Sequence, residues 1–151
     1  MSLRFNLDLN VIETVLTDSG LRVDPALSMP ALLKKSLQSN KTFVLPLDEL
    51  AEQPDEIGGI DVQQRTMERF AVVGAFKSIG DKSGTSQKNA LQEWRENVKT
   101  ALVGVVVSNF DAITFEAGKL VEMNTEKQNI LYQLQFATSQ TVVSNVRNVD
   151  E

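Results

Sequence analysis

Among its 151 residues the chain has no cysteine and no histidine. The first absence excludes a disulfide scaffold, a thiolate nucleophile and any Cys-ligated zinc or iron–sulfur site. The second removes the commonest metal ligand and the usual general base near neutral pH. Basic residues are also short: 15 Lys and Arg stand against 20 Asp and Glu, for a net charge of −5. That balance argues against a dedicated nucleic-acid binder, which needs excess cations to neutralise phosphate. No apolar run approaches the roughly 18 residues that span a bilayer. Met1–Asn10 is interrupted by polar residues and carries Asp8, so it does not read as a signal peptide, and a soluble protein made in the cytosol is expected. The match of Asn40-Lys41-Thr42 to a glycosylation sequon is then chance.

What remains is an ordinary globular composition, 42% hydrophobic and 23% charged. At 16.7 kDa the chain has the size of one domain, long enough to bury about two-thirds of its surface without staples. No internal repeat or linker divides it, so residues 1–151 are expected to form a single domain with 144–151 as a flexible tail.

Local patterns give the element order. Asn6–Leu16 carries a helical stripe through Leu7, Val11 and Val15, with Leu9, Ile12 and Leu16 beside it, and Gly20 is the expected stop. Leu21–Val23 reads as a short extended link. Ser28 as N-cap and Pro30 just inside the next start point to a short helix over Ala31–Leu37, ending near Asn40. Lys41–Pro46 has the β-branched and aromatic content of a strand closed by proline. Leu47–Gly59, with Pro54 and Gly58-Gly59, reads as an acidic loop. Phe70–Phe76 is apolar on both faces, like a strand covered on both sides. Asp61–Arg69 is polar on both faces without turn residues. Sequence alone leaves open a strand projecting beyond the core or a loop.

Lys77–Gln87 is a turn-rich connection. It lacks the Gly-Lys-Ser/Thr triplet and second glycine of a phosphate loop, so nucleotide binding is not expected. Ser86 is a candidate cap for a helix over Lys88–Val103, whose stripe runs through Leu91, Trp94, Val98, Ala101 and Leu102. Trp94 should anchor the core. Ile113–Glu116 and Lys119–Asn124 read as two short strands about Ala117-Gly118, Glu126–Asn129 as a polar turn, and Ile130–Val143 as a long half-buried strand. The expected fold is α+β: a mainly antiparallel β-sheet packed against α-helices in a single domain.

No motif supports catalysis. A serine nucleophile would have only Lys or carboxylate as base, and acidic proteins offer carboxylate pairs everywhere. The expectation is no enzyme, no metal and no cofactor. The carboxylates of Asp48, Glu49, Glu52, Asp55 and Glu56 lack metal-ligand spacing.

Taken in order, these segments carry a resemblance. After a helical N-terminal third come the strand ending Leu45-Pro46, the acidic loop, Gln63–Phe76 (QQRTMERFAVVGAF), Ala90–Leu102 (ALQEWRENVKTAL), Ile113–Met123 (ITFEAGKLVEM) and Ile130–Thr138 (ILYQLQFAT). From about Val11 to Val143 the chain resembles the tail terminator proteins of tailed bacteriophages. The resemblance implies a non-catalytic virion protein, made in the host cytoplasm and placed at the head-proximal end of the tail. It implies a ring, hexameric in the family, that caps the tail tube, ends tube polymerisation and offers the head its joining surface. The implied partners are copies of itself, the tail tube protein and head–tail connector or neck proteins, with a sheath protein as a further candidate. DNA would only pass through, and no membrane is involved. A neck or head-completion connector and a cytosolic ligand-binding α+β domain are the alternatives.

Two surfaces are candidates within such a ring. Gln63, Gln64, Arg65, Thr66, Glu68 and Arg69 should form subunit contacts, because an extended polar backbone must pair somewhere. Asp48, Glu49, Glu52, Asp55 and Glu56 are candidates to line or border the hole, where their charge would repel phosphate; the alternative reading is a loop that solubilises the outer rim.

Overall fold

The computed structural model describes residues 3–25, 40–57, 59–77, 85–124 and 129–149. Its elements are α1 (Leu9–Asp18), β1 (Lys41–Ala51), β2 (Asp55–Ile57), β3 (Asp61–Lys77), α2 (Thr85–Leu102), β4 (Thr114–Asn124) and β5 (Asn129–Asn145). The helix expected over Ala31–Leu37 lies outside the described residues, as does most of the connection after Lys77 and of the turn before Asn129.

All five strands join one antiparallel sheet in the order β1-β3-β5-β4, with β2 also on β3. The expected α+β class with a mainly antiparallel sheet is what the chain has. Its spine is the β3–β5 pair. Each strand is 17 residues long, and they stay in register from Asp61↔Asn145 to Lys77↔Asn129. At about 3.3 Å per residue the ribbon runs roughly 55 Å, too long for one core to cover.

Composition decides which half is buried. Phe70–Phe76 is buried at every position. Alternate residues face opposite sides. Phe70, Val72 and Phe76 join Val44, Ile130, Leu134 and Phe136 on one face, in a single buried cluster with Ile12 and Leu16 of α1 and Trp94, Val98 and Leu102 of α2. Ala71, Val73 and Ala75 join Phe43, Leu45 and Leu131 in a second cluster on the other face. The core expected from Trp94, Val98, Phe70, Val72, Phe136 and Leu134 is present, with Leu91 half-buried against it. Phe70 and Phe136 stack across the register at 5.6 Å.

Local chemistry sets the helix ends. Asp8 caps α1 by accepting from the Asn10 N–H at 3.0 Å, and Gly20 takes a φ of +97° just beyond it, a conformation that favours glycine. Helix α2 begins at Thr85, one residue before the expected cap Ser86.

Three expectations are corrected. Leu47–Gly59 is not simply a loop: Leu47–Ala51 continues β1 and Asp55–Ile57 forms β2. Proline does not close β1. Pro46 pairs with Phe70, and the register then shifts before Glu49; an edge strand at an irregularity tolerates a missing donor. The two short strands expected around Ala117-Gly118 are one strand, β4, with register shifts between Phe115 and Ala117 and between Leu120 and Glu122. At the C-terminus β5 reaches Asn145, two residues beyond the expected end, and Val146–Val149 follows without regular structure.

Candidate assembly surface

Beyond Phe70 the β3–β5 ribbon continues as Asp61–Arg69 paired with Ala137–Asn145. This settles the open alternative in favour of a strand. It also corrects the reason for expecting subunit contacts there. The backbone of residues 61–69 is already paired within the chain, to β5 on one side and to β2 and the end of β1 on the other. Contacts with a neighbour would have to use side chains.

Those side chains serve two faces. On the Ala71 face, Arg69 lies opposite the small Ala137, so its guanidinium can reach across β5. Its Nε donates to Glu116 Oε1 on β4 at 2.9 Å, and Nη1 approaches Asp48 Oδ2 on β1 at 3.4 Å. Gln135 Nε2 donates to the same Glu116 oxygen at 3.0 Å. Arg65 pairs with Asp111 and donates to Thr141 Oγ1 at 3.2 Å. One polar lattice thus ties four strands together.

On the Phe70 face the N-terminal segment lies along the ribbon. Leu7 N–H donates to Glu68, the Arg4 guanidinium donates to Val143 O, and Gln140 Nε2 donates to the carbonyls of Arg4 and Phe5, each at 3.1 Å. Burial pushes the Glu68 carboxyl above its ordinary value; the Leu7 N–H opposes the rise and the nearby Glu49 charge adds to it. Of the six candidate contact residues, Arg65, Glu68 and Arg69 are therefore engaged inside the subunit. Gln64 Nε2 reaches Glu52 O at 3.3 Å, and the Thr66 hydroxyl is buried without a partner.

The acidic candidates do not converge on one point. Asp48 turns to Arg69 and Glu49 lies opposite Glu68 on β1. Glu52 follows the end of β1, and Asp55 and Glu56 begin β2 opposite Gln63 and Val62. They line one side of the sheet. Beyond the bridge from Val23 to Thr42, that side of β1 and β2 has no strand beside it among the described residues.

The opposite side is β4, whose outer edge also has no strand beside it among the described residues. Sequence reasoning missed this region. Phe115, Leu120 and Met123 share the Phe70 face, pairing with Phe136, Tyr132 and Ile130, and they are 36%, 48% and 59% exposed. Lys99 of α2 sits over the Phe115 ring at 4.3 Å and Arg95 over Tyr132 at 5.1 Å. The i, i+4 spacing of Arg95 and Lys99 was a visible signal, but its meaning depends on the rings beneath it.

A hollow of about 280 Å³ lies between the N-terminal segment, α1 and the loop around Val107, lined mainly by Leu3, Val11, Val106 and Phe110. Its carboxylate, Asp8, is occupied in capping. Among the described residues no group of acidic side chains could hold a metal ion, and no helix is long and apolar enough to cross a membrane.

Among the described residues the chain is thus one antiparallel sheet with both edges open and its polar side chains tying strands together. The family model described as phage tail terminator protein matches residues 22–146, and the chain belongs to that family. It is a structural protein of the phage tail. The chain is also similar to one in a solved structure described as the virion of a native gene transfer agent particle, at 18% identity and a TM-score of 0.46, over 91% of this chain and 87% of that one. Comparison with curated proteins gives no match.

Proposed function

We propose that the protein closes into a hexameric ring on the last ring of the tail tube, ends tube growth and presents its other face to the head connector. The observation that carries this reading is the pair of unlike open edges on opposite sides of one sheet, acidic at β1–β2 and apolar with cations at β4. Unlike surfaces on opposite sides of a subunit suit a head-to-tail contact, and such contacts form rings when the rotation closes. A closed ring leaves no free lateral surface, and its two rims can differ, so one can match the tube while the other stops it. The protein acts without catalysis and has its place in the virion, at the head-proximal end of the tail.

Of the six β3 candidates, Gln63 is the one left to add a side-chain contact to the neighbouring subunit, because Arg65, Glu68 and Arg69 are spent inside the subunit, Gln64 reaches Glu52 O and the Thr66 hydroxyl is buried. Each neighbouring pair buries on the order of 1,200 Å² or more in total. The far end of the acidic edge, Asp55 and Glu56, borders the hole.

Sedimentation velocity and negative-stain imaging of the purified protein test the ring. Six-fold rings that bind tail tubes and block further addition of tube subunits are expected. A protein that stays monomeric at micromolar concentration would overturn the ring, and rings that bind the portal assembly but not tubes would make it a connector. Gln63→Lys should lower the ring fraction several-fold while leaving thermal unfolding of the monomer unchanged.

A further inference from the structure

Among the described residues the two open sides of the sheet carry opposite charge and both expose apolar side chains. On the β4 side, Phe115, Leu120 and Met123 form an exposed apolar strip under the cations Arg95 and Lys99. Neither cation has an ion-pair partner among the described residues, and the buried Nε of Arg95 has no hydrogen-bond acceptor. Over an aromatic ring a cation is held but not neutralised, so it can still take a carboxylate. On the β1 side, Leu47 and Leu50 are 41% and 48% exposed, and Glu49 and Glu52 beside them also have no ion pair among the described residues. One side offers an apolar strip with free cations; the other offers exposed leucines and free anions on one edge strand, with Leu50 opposite Met67 on the Ala71 face and Glu49 opposite Glu68 on the Phe70 face.

We propose that the groove between α2 and β4 receives the Leu47–Glu52 edge of a second copy of this chain. Leu47 and Leu50 cover the strip formed by Leu120 and Met123, while Glu49 and Glu52 reach Arg95 and Lys99. The apolar contact supplies affinity, and the charges fix which edge is accepted, because two β4 sides or two β1 sides would oppose like charge. The assignment rests on the ring reading and deepens it. It names the two faces of each subunit contact and gives the ring a single direction.

Charge reversal tests it with the full chain. Glu49→Lys/Glu52→Lys reverses one side, and Arg95→Glu/Lys99→Glu reverses the other. Each variant alone should lose at least nine-tenths of its rings in sedimentation velocity, with monomer thermal unfolding within a few degrees of wild type. Mixed in equal amounts they should recover rings, because an alternating ring sets every lysine edge in a glutamate groove and every native edge in a native groove. The chain carrying all four substitutions should also recover rings.

Wild-type rings with both variants unimpaired would overturn this contact while leaving the ring reading intact. Variants that each fail but do not rescue one another would show that the two sides do not face each other. Normal rings from both variants, with loss only of tail binding, would give the groove to a different virion protein. A wild type that stays monomeric would overturn the ring and this contact together.

Discussion

Trp94 lies on Gly74 with no room for a side chain between them. A Cβ on Gly74 would come within 2.7 Å of indole atoms Cε2 and Cζ2 and of Phe76 Cε2. The indole N–H donates to Thr42 Oγ1 at 3.0 Å, and Phe76 meets the indole edge-on at 5.5 Å. Thr42 pairs with Gly74 across β1 and β3, so one cross-strand pair supplies both the seat and the acceptor. The glycine is there for space, because its backbone is ordinary strand.

Gly74→Ala should therefore cost about 1–3 kcal/mol through overpacking, and Trp94→Ala about 3–5 kcal/mol through the cavity it leaves. The double variant should lose clearly less than the sum, because the vacated indole site admits the methyl group. Urea unfolding measures all three. Strictly additive losses would mean that the tryptophan does not rest on residue 74.

Arg69 should matter modestly. Its partner Glu116 is 29% exposed and Asp48 54% exposed, so the first pair carries most of the effect and water screens the second. Arg69→Met keeps the aliphatic stem and leaves Glu116 its bond from Gln135. A loss of about 0.5–1 kcal/mol is expected at low salt, shrinking in 1 M salt where the screening length is about 3 Å. A loss that salt does not change would make the arginine a packing element.

How much of this was legible depended on how local the deciding contacts are. The Phe70–Phe76 strand, the Leu91–Trp94–Val98 stripe and the alternation of β5 announce themselves because periodicity is written in neighbouring residues. Asp61–Arg69 could not be decided locally, since its partner strand, Ala137–Asn145, is itself largely polar and more than 60 residues away. Leu47–Ala51 looked like a loop because its carboxylates mask a strand that pairs with Met67 and Glu68. In β4 the irregularities at Glu116 and Val121 break the alternation twice, so one strand read as two. The candidate surface was half legible: its acidic side was visible as uncompensated charge, whereas the β4 groove needs the register that sets Phe115 beside Phe136 under Lys99.

Glu68 should give the ribbon a measurable pH dependence. Its folded-state value is raised, mainly by burial. The native state then holds its proton to higher pH than the unfolded chain does, and this group's contribution to stability falls as pH rises from about 4.5 through the folded value. Glu68→Gln keeps an acceptor for Leu7 N–H and cannot ionise. Relative to wild type, the variant should gain stability across that window and then hold a constant difference toward pH 7. Comparing urea midpoints of the two proteins at several pH values cancels the other carboxylates. A difference that does not change with pH would place the carboxyl in water.

The acidic end of the β1–β2 edge should keep the passage free of bound DNA. Each Lys or Arg that touches phosphate adds salt-sensitive affinity, and in a ring every such contact is repeated around the axis. Asp55 and Glu56 stand beyond the Leu47–Glu52 contact segment, so reversing them leaves the proposed subunit contact untouched. Asp55→Lys/Glu56→Lys should still assemble into rings. Unlike wild type, those rings should retain duplex DNA at 50 mM salt and release it by 200 mM, because several repeated phosphate contacts lose about 10³–10⁵ in affinity over that range. Phage carrying the variant should yield fewer infectious particles from a normal number of joined heads and tails, since the defect lies in genome transit. Rings that assemble, ignore DNA at low salt and support normal infectivity would move this end of the edge to the outer rim.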